Sequence, residues 1–202
     1  MSLDSRSQFG DKFDHKLSEE YRNGLIELRY LPWSGKPLNP GDRIVVQMND
    51  NGRTGRLYMP ITEDAQQVLL RSYAVVKNYF LEKGKRVKMI SFIQERKPNK
   101  LGLTLENIGS GLWHNHLKES EQNALIVLDD EVGTDFIEGE LEVADEANVT
   151  ASEVAAALQS GKAEQKRLDA GQVGHFTNKT LHKRAAFHSD DPRVAIVVEF
   201  ED

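Results

Sequence analysis

The chain has 202 residues, 39% of them apolar and 29% charged, with a formal net charge of −6. A pI near 5.6 and a mean hydropathy of −0.54 fit a water-soluble protein and argue against a broad nucleic-acid-binding face, which needs concentrated Lys and Arg. Cysteine is absent, which excludes disulfides, thiolate metal sites and a cysteine nucleophile, so any metal must be held by His, Asp or Glu.

Residues 1–16 are polar and have no apolar centre of the signal-peptide kind. No apolar run approaches the ~20 residues a membrane span needs. A soluble, cytoplasmic protein is the expectation. Residues 24–31 (GLIELRYL) read as a strand with mixed alternation. Pro32, Gly35, Pro37, Pro40 and Gly41 then interrupt regular structure. A strand is predicted over 43–48, the turn signal Asn49-Asp50-Asn51-Gly52 follows, and 56–59 pairs back as a hairpin. Thr62 reads as an N-cap for a helix over 63–82, with Glu63 and Asp64 in its first turn. Val68, Leu69, Tyr73, Val76, Tyr79 and Phe80 recur there at helical spacing, as a core face. The basic run 83–88 (KGKRVK) reads as a solvated strand flank.

Strands are predicted over 87–93, 101–106, 124–128 and 136–143. Thr150 and Glu153 are spaced as a capping box for a helix over 151–159. The last strands are 172–176 and 194–200. Short strands separated by turns, with one long helix, predict a mainly β fold with helical support (α+β), an antiparallel sandwich or jelly roll. The organisation expected is a polar segment over 1–20 and a single domain over 21–202. Within that domain, 21–100 is a helix-bearing supporting half and 101–202 is the half that carries chemistry.

That chemistry is carried by histidines. His114 and His116 alternate on one extended segment, so both imidazoles can face one cavity while Asn115 faces away. Trp113 is placed to line or cover that cavity. His182 is a third candidate ligand, arriving from a late strand. Glu119 or Glu121 could add a carboxylate. His175 is an alternative ligand or a pocket donor. Arg193 opens the apolar stretch 194–198, so its guanidinium is expected inside the fold, where a buried charge requires an anion. Its planar fork suits a carboxylate. The plain alternatives are a hydrogen-bonded surface histidine pair, and an arginine paired with Asp190 or Asp191. His188-Ser189-Asp190 reads as solvated loop and His15 as surface.

Residues 101–202, most specifically 171–200, resemble the 2-oxoglutarate- and Fe(II)-dependent oxygenase superfamily, whose fold is the double-stranded β-helix. The resemblance implies that His182 is the distal metal ligand and that Arg193 grips the far carboxylate of 2-oxoglutarate. It implies Fe(II) and 2-oxoglutarate as cofactors and hydroxylation of an unidentified prime substrate. The chain departs from that family at the first motif, which has His114-Asn115-His116 in place of His-x-Asp or His-x-Glu. Either His116 replaces the carboxylate, or Glu119 or Glu121 supplies it, or the site is altered. The His-x-His form with Glu121 also resembles cupins, which share the jelly roll and need no arginine. Three functions follow: an Fe(II)/2-oxoglutarate oxygenase, a cupin-type three-histidine dioxygenase or isomerase, or a non-catalytic binding module. The partners expected are small molecules, with no membrane and no nucleic acid, and an exposed barrel edge offers a homodimer surface.

Overall fold

The structure, a computed structural model, describes residues 1–4, 15–54, 60–96, 113–115, 122–128, 133–177, 179–184 and 192–201. The expected strands over 56–59 and 101–106 lie outside them, as do His116, Glu119, Glu121 and His188.

Residues 24–31 are not a strand: α1 spans Glu19–Leu25 and α2 spans Glu27–Tyr30. The Ser18 side chain accepts a hydrogen bond from the Tyr21 amide, and Glu19 and Glu20 stand in the first turn, so the start is capped and charge-matched. Leu25 and Leu28, three apart, are buried, while Ile26 and Tyr30 are exposed. That spacing belongs to a helix. Downstream, α3 spans Glu63–Glu82, capped as expected by Thr62, which accepts from the Ala65 amide. Val68, Leu69, Val76, Tyr79 and Phe80 are buried along one of its faces.

Eleven strands are described: β1 (Ser2–Asp4), β2 (His15–Lys16), β3 (Arg43–Asn49), β4 (Gly52–Thr54), β5 (Val87–Glu95), β6 (Gln122–Val127), β7 (Thr134–Glu142), β8 (Ala163–Leu168), β9 (Gln172–Thr177), β10 (His182–Arg184) and β11 (Arg193–Phe200). They form two antiparallel sheets. The larger runs β2-β9-β6-β11-β5-β3-β4. In the smaller, β7 pairs with β1, β8 and β10. From β6 onward the chain crosses repeatedly between the sheets: β6 lies in the larger, β7 and β8 in the smaller, β9 in the larger, β10 in the smaller and β11 in the larger. That alternation makes the fold a jelly roll of the double-stranded β-helix kind. Among the described residues neither sheet closes on itself.

Three apolar clusters follow from period-two alternation. Val194, Ile196, Val198, Ile90, Phe92 and Ile126 face the helices and meet Leu25, Leu28, Leu69 and Phe80. Ile93, Leu125, Val127, Ala195, Phe136, Leu168 and Phe176 form the layer between the sheets. Ile137, Leu141 and Leu181 cover the outer face of the smaller sheet beneath α4 (Ala151–Gln159). The capping box expected at Thr150 and Glu153 is present on that helix. Strand β8 was not expected, because AEQKRL carries no apolar alternation. Among the described residues it pairs only with β7, and a charged edge is how sheets avoid further pairing.

Candidate functional site

His114 and His182 meet as cross-strand neighbours. Each backbone N–H donates to the other's carbonyl at 3.0 Å, and the ring centroids lie 4.3 Å apart. His182 in turn pairs with Phe136 on β7. Because direct partners share a face, His182 projects with Phe136 into the space between the sheets. Its ring stacks on Phe136 at 5.8 Å and meets Phe176, reaching across from β9, at 5.3 Å.

The orientation of His182 is fixed from behind. Nδ1 lies 2.9 Å from the Thr180 carbonyl oxygen. A carbonyl only accepts, so Nδ1 carries the proton, and in the neutral ring Nε2 is the lone-pair nitrogen. Thr180 is held by a tight turn: its N–H donates to the Thr177 carbonyl at 2.9 Å, and the Thr177 amide donates to Thr180 Oγ1 at 3.1 Å. This is how metal-binding imidazoles are aimed. Among the described residues no group of three or more His, Asp or Glu side chains is disposed around a metal position. His114 and His182 supply two imidazoles, and His116, Glu119 and Glu121 lie outside the described residues.

Arg193 does face the interior, as its position before an apolar stretch suggested. It alternates with Ala195 of the inter-sheet layer, and its side chain is 7% exposed. It already holds a carboxylate from this chain. Nη1 donates to Glu95 Oε1 at 2.6 Å, and Nη2 donates to Thr134 Oγ1 at 2.6 Å. The guanidinium thereby ties β11 and β5 of the larger sheet to β7 of the smaller. Thr134 stands two residues before Phe136, so the arginine and His182 address points ~7 Å apart along β7.

Two expected pocket residues face elsewhere, for one reason: alternation sends a residue and its neighbour to opposite sides. Phe176 points at His182, so His175 points toward the helices, where its ring lies 6.0 Å from Phe80 and 6.2 Å from Phe200. It is not beside His182. His114 points inward, so Trp113 turns outward, packs on the cluster beneath α4 and takes Lys183 Nζ 4.5 Å above its ring. Asn115 also faces away, as predicted, and its Nδ2 donates to the Glu146 carbonyl at 3.1 Å.

Sequence reasoning overlooked Glu95, Thr134, Phe136, Phe176 and Thr180. A carboxylate ending the apolar strand 87–95 was the one available signal. Lys166, the register partner of Phe136, bridges Glu138 at 2.9 Å and Glu164 at 3.0 Å. The hydrogen bond to Glu138 pushes its ammonium up to about 12, so it remains charged across the physiological range. Asp135 is buried and held bidentately by Arg167 at 2.7 and 3.1 Å, a hydrogen bond that raises the guanidinium above its ordinary value.

No family model and no curated protein matches the chain. Among solved structures it is similar to SnoN, a non-heme alpha ketoglutarate dependent epimerase from nogalamycin biosynthesis, at 14% identity and a TM-score of 0.48, covering 100% of this chain and 77% of that one. It is also similar to SnoK, a non-heme alpha ketoglutarate dependent carbocyclase from the same biosynthesis, at 16% identity and a TM-score of 0.43, covering 92% and 76%. A third likeness is to the hydroxypropylphosphonic acid epoxidase of S. wedmorenis, at 12% identity and a TM-score of 0.31, covering 55% and 42%. Likenesses of this depth concern the course of the chain alone.

Proposed function

We propose that this chain is a mononuclear metal oxygenase in which His114, His182 and His116 hold Fe(II) and Arg193 receives the distal carboxylate of 2-oxoglutarate. The observation that carries the reading is the His114–His182 pair, with Nδ1 of His182 committed to the Thr180 carbonyl. Imidazoles aimed from paired segments are a donor set that suits iron and other borderline divalent ions. Arg193 and Thr134 together offer a cation and a hydroxyl, the groups a dicarboxylate needs at its far end.

Bound iron with 2-oxoglutarate supplies the oxidising power for C–H hydroxylation. The chain's residues do the rest. Thr180 fixes the His182 ring. Phe136, Phe176, Leu125 and Ala195 wall the inter-sheet layer and keep it dry. Thr134 holds the Arg193 fork in one orientation. The test is metal content after anaerobic reconstitution, followed by succinate release from 2-oxoglutarate. Wild type should retain near-stoichiometric Fe(II), and His182→Ala should lose most of it. Equal retention by both proteins would refute the reading.

A second reading is favoured by one observation, the Glu95 carboxylate already on Arg193. Under it the centre is a cupin-type three-histidine site working without 2-oxoglutarate. Iron retention without succinate release would select it.

A further inference from the structure

Glu95 pairs in register with Arg193 on one side and Arg43 on the other, so the three side chains form one row across β11, β5 and β3. Direct partners share a face. Glu95 Oε1 lies 2.6 Å from Arg193 Nη1, and its Oε2 lies 3.9 Å from Arg43 Nε. One carboxylate therefore stands between two guanidiniums. The two are unequal: the Arg193 side chain is 7% exposed and that of Arg43 is 50% exposed. In this one placement the carboxylate holds a buried cation through Oε1 and reaches a half-exposed cation at the rim through Oε2.

We propose that Glu95 is a displaceable internal carboxylate and the specificity-determining residue of the co-substrate site: it holds Arg193 until an oxo-dicarboxylate takes its place, and then turns onto Arg43. The proposal rests on the 2-oxoglutarate reading given above. Exchanging one carboxylate for another on the same guanidinium keeps the buried charge paired before and after, so no step leaves Arg193 uncompensated. Thr134 stays on Nη2 throughout and preserves the angle of the fork. The incoming acid brings the second negative charge that the row of two arginines and one glutamate accommodates. An oxo acid without a distal carboxylate has nothing to exchange and leaves Glu95 where it is.

The experiment is calorimetric titration of the full chain, loaded with Fe(II) under nitrogen, using 2-oxoglutarate and pyruvate as the two probes. Glu95→Gln removes the competing charge at constant shape. It should bind 2-oxoglutarate about ten-fold tighter or more than wild type, since the competent state no longer has to be vacated, while pyruvate affinity stays unchanged. Arg43→Met removes the second resting place and should weaken 2-oxoglutarate several-fold, again sparing pyruvate. If wild type binds 2-oxoglutarate and Glu95→Gln binds it equally or more weakly, the gate is wrong and the co-substrate reading stands. If no variant binds 2-oxoglutarate, both fall. Should Glu95→Gln fail to fold, Glu95→Asp keeps the charge but withdraws it by one methylene. A tighter 2-oxoglutarate affinity is then expected, and an unchanged one overturns the gate.

Discussion

Replacing Arg193 by methionine isolates the energetics of the buried row. The Glu95 side chain, 5% exposed, loses the partner at 2.6 Å, and Thr134 Oγ1 loses the donor at 2.6 Å. Removing one member of a buried pair costs about 3–5 kcal/mol, because the remaining charge stays desolvated without compensation. Arg43, 3.9 Å from Glu95 Oε2 and 50% exposed, returns only a small part of that through a screened interaction. For a chain of this size each kcal/mol moves Tm by roughly 2–4 °C, so the loss corresponds to about 6–20 °C. The double variant Arg193→Met with Glu95→Leu removes both charges together. Its stability should lie within about 1–2 kcal/mol of wild type, since an apolar pair of similar volume carries no desolvation penalty. The cycle therefore has a coupling energy well above 1 kcal/mol. Urea unfolding followed by tryptophan fluorescence, with calorimetric Tm beside it, measures all four corners. Single variants that each cost under about 1 kcal/mol and add linearly would refute a buried, mutually dependent pair.

Other positions give independent checks. Gly139 has φ +132, and a Cβ there would meet the Lys162 carbonyl oxygen at 2.4 Å, so Gly139→Ala should destabilise by about 2 kcal/mol or more through backbone strain and displacement of β8. Thermal unfolding equal to wild type would contradict that geometry. Thr150→Ala removes the N-cap of α4 and should cost about 1 kcal/mol in chemical denaturation. The Glu153 carboxyl is held below its ordinary value by hydrogen bonds from the Thr150 hydroxyl and from the Ala144 and Thr150 amides. Its folded value is thus the lower one. The stabilisation is fully present above the ordinary value of 4.5 and is lost as pH falls through the folded value. The stability gap between wild type and Glu153→Gln should therefore shrink on acidification below 4.5, and a gap independent of pH would refute the assignment.

Much of the architecture was legible because its signals are local. The α3 helix announces itself through Thr62, the acidic first turn and a helical apolar stripe, and α4 through its capping box. The apolar strands β3, β5, β6, β7 and β11 were visible as such. The failures share a cause. Residues 24–31 are apolar enough to read as strand, but Leu25 and Leu28 pack under α3 at helical spacing. Strand β8 is held by pairing to β7 and carries almost no apolar pattern, so nothing local betrays it.

The same division governs the site. Residue chemistry and spacing nominated His114, His182 and Arg193, and composition alone excluded thiolates. Which of the nominated residues meet was decided by register. Pairing of His114 with His182 and of His182 with Phe136 brings two imidazoles together, while the parity of each strand sends Trp113 and His175 to other faces. The partner of Arg193 was a tertiary decision as well. A buried guanidinium requires a carboxylate, a demand readable from the sequence, but that Glu95 meets it follows only from the alignment of two strands 98 residues apart in the chain. Long-range pairing places that carboxylate, and no local pattern encodes it.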